Sequence, residues 1–198
     1  MNVAVGLMKQ SVFSRFMQRY LFPLLASVSI LLAGCLGSDS EDDDTSDIPS
    51  EPQMFPQWDE VTDDGTNWSN ERLNGSAYIV IFSAQWCNTP CMNLMHSIWD
   101  TIPEIPVMVM STDNGSEISF EDWHDAADAH DDEEGDENND LTTYRFLLGD
   151  EEGNSLGIES PGTTIFVNKT GYITWQGKSS SANDPELIQE QWDIANLD

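Results

Sequence analysis

The chain has 198 residues, 39% of them hydrophobic, with 7 Lys and Arg against 36 Asp and Glu and a formal net charge of −29. That length suits one ordinary domain with appendages rather than two. So acidic a chain lacks the clustered cations that phosphate neutralisation needs, which excludes a conventional nucleic-acid binder and argues against electrostatic docking on an anionic membrane.

The charge is unevenly spread. Residues 1–35 hold Lys9, Arg15 and Arg19 and no acid; residues 36–198 hold Arg72, Arg145, Lys169, Lys178 and every acid. The basic start, the apolar stretch from Tyr20 to Leu32 and the small residues before Cys35 have the form of a secretory signal. That stretch includes Pro23 and falls short of the roughly 20 residues that cross a bilayer. Leu32-Ala-Gly-Cys35 resembles a prokaryotic lipobox, which implies cleavage before Cys35 and a lipid on its thiol. The alternative is an uncleaved anchor helix with an idle cysteine. Residues 36–55, carrying GSDSEDDDTSDIPS, read as an acidic disordered tether, and the folded domain is expected over 56–198. The expected location is extracytoplasmic, on the cell membrane, as a prokaryotic lipoprotein.

Ala77 to Phe82 (AYIVIF) is a continuous apolar run and predicts a buried central strand, with a turn over Ser83 to Trp86. From Asn88, the residues Cys91, Met92, Leu94, Met95, Ile98 and Trp99 recur at helical spacing, with Pro90 in the first turn. With Cys35 assigned to lipid, Cys87 and Cys91 have only each other as partners in the chain. Positions i and i+4 of a helix lie about 6 Å apart at Cα, within reach of a disulfide. A loop so small barely constrains the unfolded chain, so a redox or metal role explains the pair better than stabilisation. Cys87 falls beside the orphan N–H groups of a helix start, which favour a thiolate. Cys91 lies one turn in and should be less exposed. The arrangement predicts an outer nucleophile and an inner resolving thiol.

Pro106 to Met110 (PVMVM) predicts a second buried strand. Ser119 to His130 predicts a helix with Phe120, Trp123, Ala126 and Ala127 inward. Residues 131–140 are too acidic to pack and fail the calcium-loop pattern, because His130 and Leu141 occupy ligand positions. Glu186 to Leu197 predicts an amphipathic helix facing the core through Leu187, Ile188, Trp192, Ile194 and Leu197. Asn-x-Ser/Thr triplets at Asn67, Asn74, Asn114 and Asn168 hint only at surface positions.

The run Phe82-Ser-Ala-Gln-Trp-Cys87-Asn-Thr-Pro-Cys91 resembles the active-site motif of the thioredoxin superfamily, in its TlpA/ResA-like and redoxin branch, with one residue inserted between the cysteines. Asp64 to Ser69 and Leu73 to Gly75 are similar to the hairpin and glycine turn that precede that motif. Thr163 to Ile173 is similar to the strand–turn–strand that follows the family's cis-proline. The resemblance spans roughly residues 56–196. It implies a thioredoxin-like three-layer α/β/α sandwich with a mixed central sheet, no cofactor, and a catalytic Cys87–Cys91 pair. It also implies a substrate loop at Trp86, Pro161, Gly162 and Thr163. Three departures stand out. The spacing is Cys-x-x-x-Cys; Gly162 occupies the cis-proline position, leaving either a shifted cis Ser160–Pro161 bond or none; and Ile81 replaces the buried Asp of cytoplasmic thioredoxins.

Three functions compete. A membrane-anchored thiol–disulfide oxidoreductase would exchange disulfides with extracytoplasmic proteins and be reset by a membrane or soluble thiol partner. The cysteine spacing also resembles the Sco-type copper chaperones, and Cys87, Cys91, Met95 and His96 would then be the Cu(I) ligand candidates. The distant His of that pattern is missing before Thr163, the methionines have core spacing, and His96 reads as a surface residue. The third reading is a redox-inert interaction domain.

Overall fold

The computed structural model describes residues 51–114, 118–130 and 141–197. The signal-like segment with Cys35, the tether as far as residue 50 and the acidic run 131–140 lie outside the described residues. The chain forms a hairpin of β1 (Asp59–Val61) and β2 (Asn67–Ser69), α1 (Asn70–Leu73), β3 (Tyr78–Ser83), α2 (Thr89–Thr101), β4 (Val107–Ser111) and α3 (Phe120–Asp128). There follow β5 (Tyr144–Leu148), α4 (Asp150–Ser155), β6 (Thr163–Val167), β7 (Ile173–Lys178), α5 (Ser179–Ala182) and α6 (Pro185–Asn196).

Five strands form one mixed sheet in the order β5-β4-β3-β6-β7, with β3, β4 and β5 parallel and β6 and β7 antiparallel to their neighbours. All six residues of the central strand β3 are buried, as an apolar run without alternation requires. The pleat sorts them. Ile79 and Ile81 join Val107, Val109, Phe146, Phe166 and Trp175 beneath Leu94, Met95 and Ile98 of α2, Trp123 of α3 and Ile188 of α6. Tyr78, Val80 and Phe82 join Met108, Met110, Leu147 and Ile165 on the other face, beneath Phe55, Trp58, Leu73 and Ile158.

Helix starts follow local rules. The Ser119 hydroxyl accepts from Asp122 N at 3.2 Å, and Asp184 Oδ1 accepts from Glu186 N at 3.0 Å with Pro185 opening α6. Gln53 and Phe55 bond to the β6–β7 turn region. Phe55 N donates to Gly171 O, Ile173 N donates to Gln53 O, and the Phe55 ring is buried.

Two helix faces differ from expectation. Ala126 is exposed, and α3 turns Trp123 and Ala127 inward instead. On α6, Ile194 and Leu197 point outward and Ala195 takes the core position, because the buried stripe continues from Ile188 by a step of seven. The strand β5 and the short helices α4 and α5 were not anticipated. β5 is an edge strand, and the turn after β1 covers it: Asp63 N donates to Phe146 O, and Phe146 N donates to Asp63 Oδ1 at 2.8 Å. The same Asp63 carboxylate meets His124 Nδ1 at 2.6 Å, while His124 Nε2 lies 3.0 Å from the Leu141 carbonyl.

Acidic side chains crowd where α4 meets β1. Burial first, then the charges of Glu60, Glu151 and Asp150, push the Glu152 carboxyl above its ordinary value of 4.5. For an acid raised in the folded state, ionisation costs stability at neutral pH, and that cost disappears below the unfolded value. Glu152→Gln is therefore expected to raise the thermal midpoint at pH 7, with the gain vanishing as pH falls below 4.5. A gain that is flat with pH in thermal scans would contradict this.

Candidate functional site

The site lies at the carboxyl end of β3, where the strand's ladder stops at Ser83 and the chain turns into α2. Cys87 N donates to Ala84 O at 2.9 Å, closing the turn, and the Asn88 carbonyl accepts from Cys91 N and Met92 N to start the helix. The Asn88 side chain caps nothing, and the first turn of α2 contains no acid and carries Pro90. Unspent N–H groups and the helix dipole therefore face this junction with no carboxylate of α2's first turn to offset them.

Cys87 and Cys91 are joined by a disulfide, with Cα atoms 5.7 Å apart. Cys91 is 1% exposed, Cys87 is half-buried, and Trp86 beside it is 65% exposed. An incoming thiolate thus meets the Cys87 sulfur first, and Cys91 is shielded beneath it.

The loop before β6 borders this end of the sheet. Gly162 N donates to Phe82 O at 2.8 Å, and Thr163 pairs with Phe82 on one side and Lys178 on the other. Gly162 adopts φ +89°, a backbone region open to glycine. The described residues contain no cis peptide, so Ser160–Pro161 is trans and the shifted-cis alternative is not the one found. Lys178 Nζ donates to Thr163 Oγ1 at 2.8 Å and to Ser160 Oγ at 3.3 Å, and Ser179 Oγ donates to Gly162 O at 3.0 Å. Lys178 and Ser179 were not singled out from the sequence. Their only signal was a lone cation at the end of a strand in an acidic chain.

The copper-ligand candidates separate. Met92 and Met95 are buried in the core beneath α2. His96 is buried too, not on the surface as its helical position suggested, because α3 packs over that flank and its Ala127 carbonyl lies 2.8 Å from Nε2. His130 Nε2 is engaged by Asn93, and His124 by Asp63 and Leu141. Among the described residues no three His, Cys, Asp or Glu side chains converge as a metal site. No described helix is long and apolar enough to cross a membrane.

No protein-family model matches the sequence, and no curated protein matches it. Solved structures do match. A thio-disulfide isomerase from Thermus thermophilus superposes with a TM-score of 0.56 at 13% identity, over 74% of this chain and 97% of that one. A SCO1/SenC family lipoprotein from Bacillus anthracis gives 0.54 at 13% identity, over 74% and 99%. The thioredoxin domain of a thiol-disulfide oxidoreductase from Bacteroides vulgatus gives 0.52 at 17% identity, over 73% and 96%. At such identities the likeness shows the fold. It is thioredoxin-like, with a mixed five-stranded sheet flanked by helices and a Cys-x-x-x-Cys disulfide at the head of α2.

Proposed function

We propose that this chain is an extracytoplasmic thiol–disulfide oxidoreductase, tethered to the membrane through a lipid at Cys35. The observation that carries the reading is the asymmetric pair, Cys87 half-buried and Cys91 buried, at the start of a helix whose first turn carries no acid. In the reducing direction Cys87 thiolate attacks one sulfur of a substrate disulfide. A Cys87–substrate bond forms, the substrate S–S bond breaks, and the departing thiolate takes up a proton. Cys91, as thiolate, then attacks Cys87 sulfur, releasing the second substrate thiol and leaving the Cys87–Cys91 disulfide. Two electrons and two protons pass to the substrate, and an external dithiol must return them. The reverse sequence oxidises a substrate dithiol.

A Sco-like copper site would need Met95 or His96 beside the cysteines, and the core burial of both side chains speaks against it. Two experiments on the full chain in detergent test the reading. Titration in defined thiol–disulfide buffers, with Cys35 followed separately by peptide mass, is expected to show a reversible two-electron transition at Cys87 and Cys91. A midpoint near about −270 mV would mark a reductant and one near about −120 mV an oxidant. The Cys91→Ser variant is expected to accumulate mixed disulfides at Cys87. Thiols that stay reduced until harsh oxidation, with stoichiometric Cu(I) uptake, would overturn the reading.

A further inference from the structure

We propose that Lys178 and Ser179 form a polar clamp that positions the Ser160–Thr163 loop to receive an extended polypeptide carrying the substrate disulfide; this rests on the oxidoreductase reading. The sheet places the clamp. Phe82, Thr163 and Lys178 lie in one row across β3, β6 and β7, at the end of β3 from which the chain turns to Cys87. From the far side of that row, Lys178 reaches back over β6 to the hydroxyls of Thr163 and Ser160, and Ser179 bonds the Gly162 carbonyl.

Charge makes the lysine's choice informative. The chain holds 36 acids, yet among the described residues no carboxylate lies within ion-pair distance of Lys178, and its recorded partners are these two loop hydroxyls. A charged donor on a neutral acceptor forms a stronger hydrogen bond than two neutral groups do. Ser179 sits so close to the loop that a Cβ at position 162 would lie 2.3 Å from its Oγ. The loop is therefore gripped at Ser160, Gly162 and Thr163. The Pro161 carbonyl between them takes no hydrogen bond from the described residues. An extended segment laid beside that carbonyl can donate a backbone N–H to it, as strand-addition recognition does, and bring its sulfur toward Cys87. Such a role acts on polypeptide binding and leaves the sulfur chemistry alone.

The test uses the reduced full chain in detergent with two probes: an unstructured peptide containing one disulfide, and the small aryl disulfide 5,5′-dithiobis(2-nitrobenzoic acid). In a single turnover of the pre-reduced chain, which needs no recycling dithiol, Lys178→Met is expected to raise the half-saturating peptide concentration (the KM of that reaction) about tenfold, with the limiting rate within about twofold, the size expected for losing a charged hydrogen bond. The rate with the aryl disulfide and the Cys87–Cys91 midpoint should not move. Lys178→Arg should restore the peptide KM, and Ser179→Ala should raise it without touching the aryl rate. A Lys178→Met enzyme that keeps its peptide KM, or that loses both substrates equally, overturns the clamp. A wild-type chain inert toward both probes, with Cys87 shown by mass to be reduced, overturns the oxidoreductase reading and the clamp with it.

Discussion

The Asp63→Ala variant is expected to lose about 3 kcal/mol of folding stability at pH 6, as breaking a buried charged pair from one side does. The carboxylate serves two elements at once. Its Oδ1 accepts from Phe146 N, and its Oδ2 holds His124 Nδ1, with the His124 ring stacked on Phe146 at 4.6 Å. Removing it strands a backbone donor of the sheet edge and an imidazole whose other nitrogen already faces the Leu141 carbonyl. Because both ring nitrogens face acceptors, only the imidazolium satisfies both. Burial opposes that charge, but the Asp63 hydrogen bond and charge, with the Leu141 carbonyl and Asp128, outweigh it and raise His124 above 6.5. A histidine raised in the folded state contributes stability that is complete below the unfolded value of 6.5 and is lost as pH climbs through the folded value. Wild-type stability in urea should accordingly fall as pH rises from 6.5, and His124→Leu in the Asp63→Ala background should flatten that slope. A slope that persists without His124 would place the titrating group elsewhere.

The same cluster shows what the sequence could and could not disclose. Ala77–Phe82, the Cys87–Cys91 pair and the apolar face of α2 are written in consecutive residues, where a run or a helical period suffices to place them. The sandwich and the exposure order of the two thiols follow from those short patterns. Asp63 has no such local mark. It is one acid of 36, and what distinguishes it is a strand 83 positions away. β5 itself is YRFLL with Arg145 half-buried, and it becomes a strand through parallel pairing with β4, a relation that no window around it contains. His96 was misplaced for a related reason. Helical periodicity assigns a face to the core, but it does not say that α3 will cover the next face as well, and the Ala127 carbonyl settles that. At the site, sequence located the cysteines and the glycine in the loop, while the clamp on that loop comes from β7, reached only once the hairpin closes.

Placing proline at the loop position by Gly162→Pro is expected to damage the protein, at a cost of about 4 kcal/mol or more. Three effects add. Gly162 has φ +89°, and a proline ring fixes φ near −65°. Its N–H donates to Phe82 O at 2.8 Å, and proline has no such donor, so a carbonyl at the head of the central strand loses its bond. A Cβ there would also stand 2.3 Å from Ser179 Oγ. Gly162→Ala separates these terms, because it keeps the N–H while retaining the strained φ and the collision. Its cost should be smaller, about 2–3 kcal/mol, and adding Ser179→Gly should relieve the collision while giving up the Ser179 Oγ–Gly162 O hydrogen bond, leaving about 2 kcal/mol for the strained backbone and that lost bond together. Urea melts of the four proteins would show this order. If Gly162→Pro were as stable as wild type, the loop would be free to adopt the negative φ that proline imposes, and the grip of Lys178 and Ser179 would not be what shapes it.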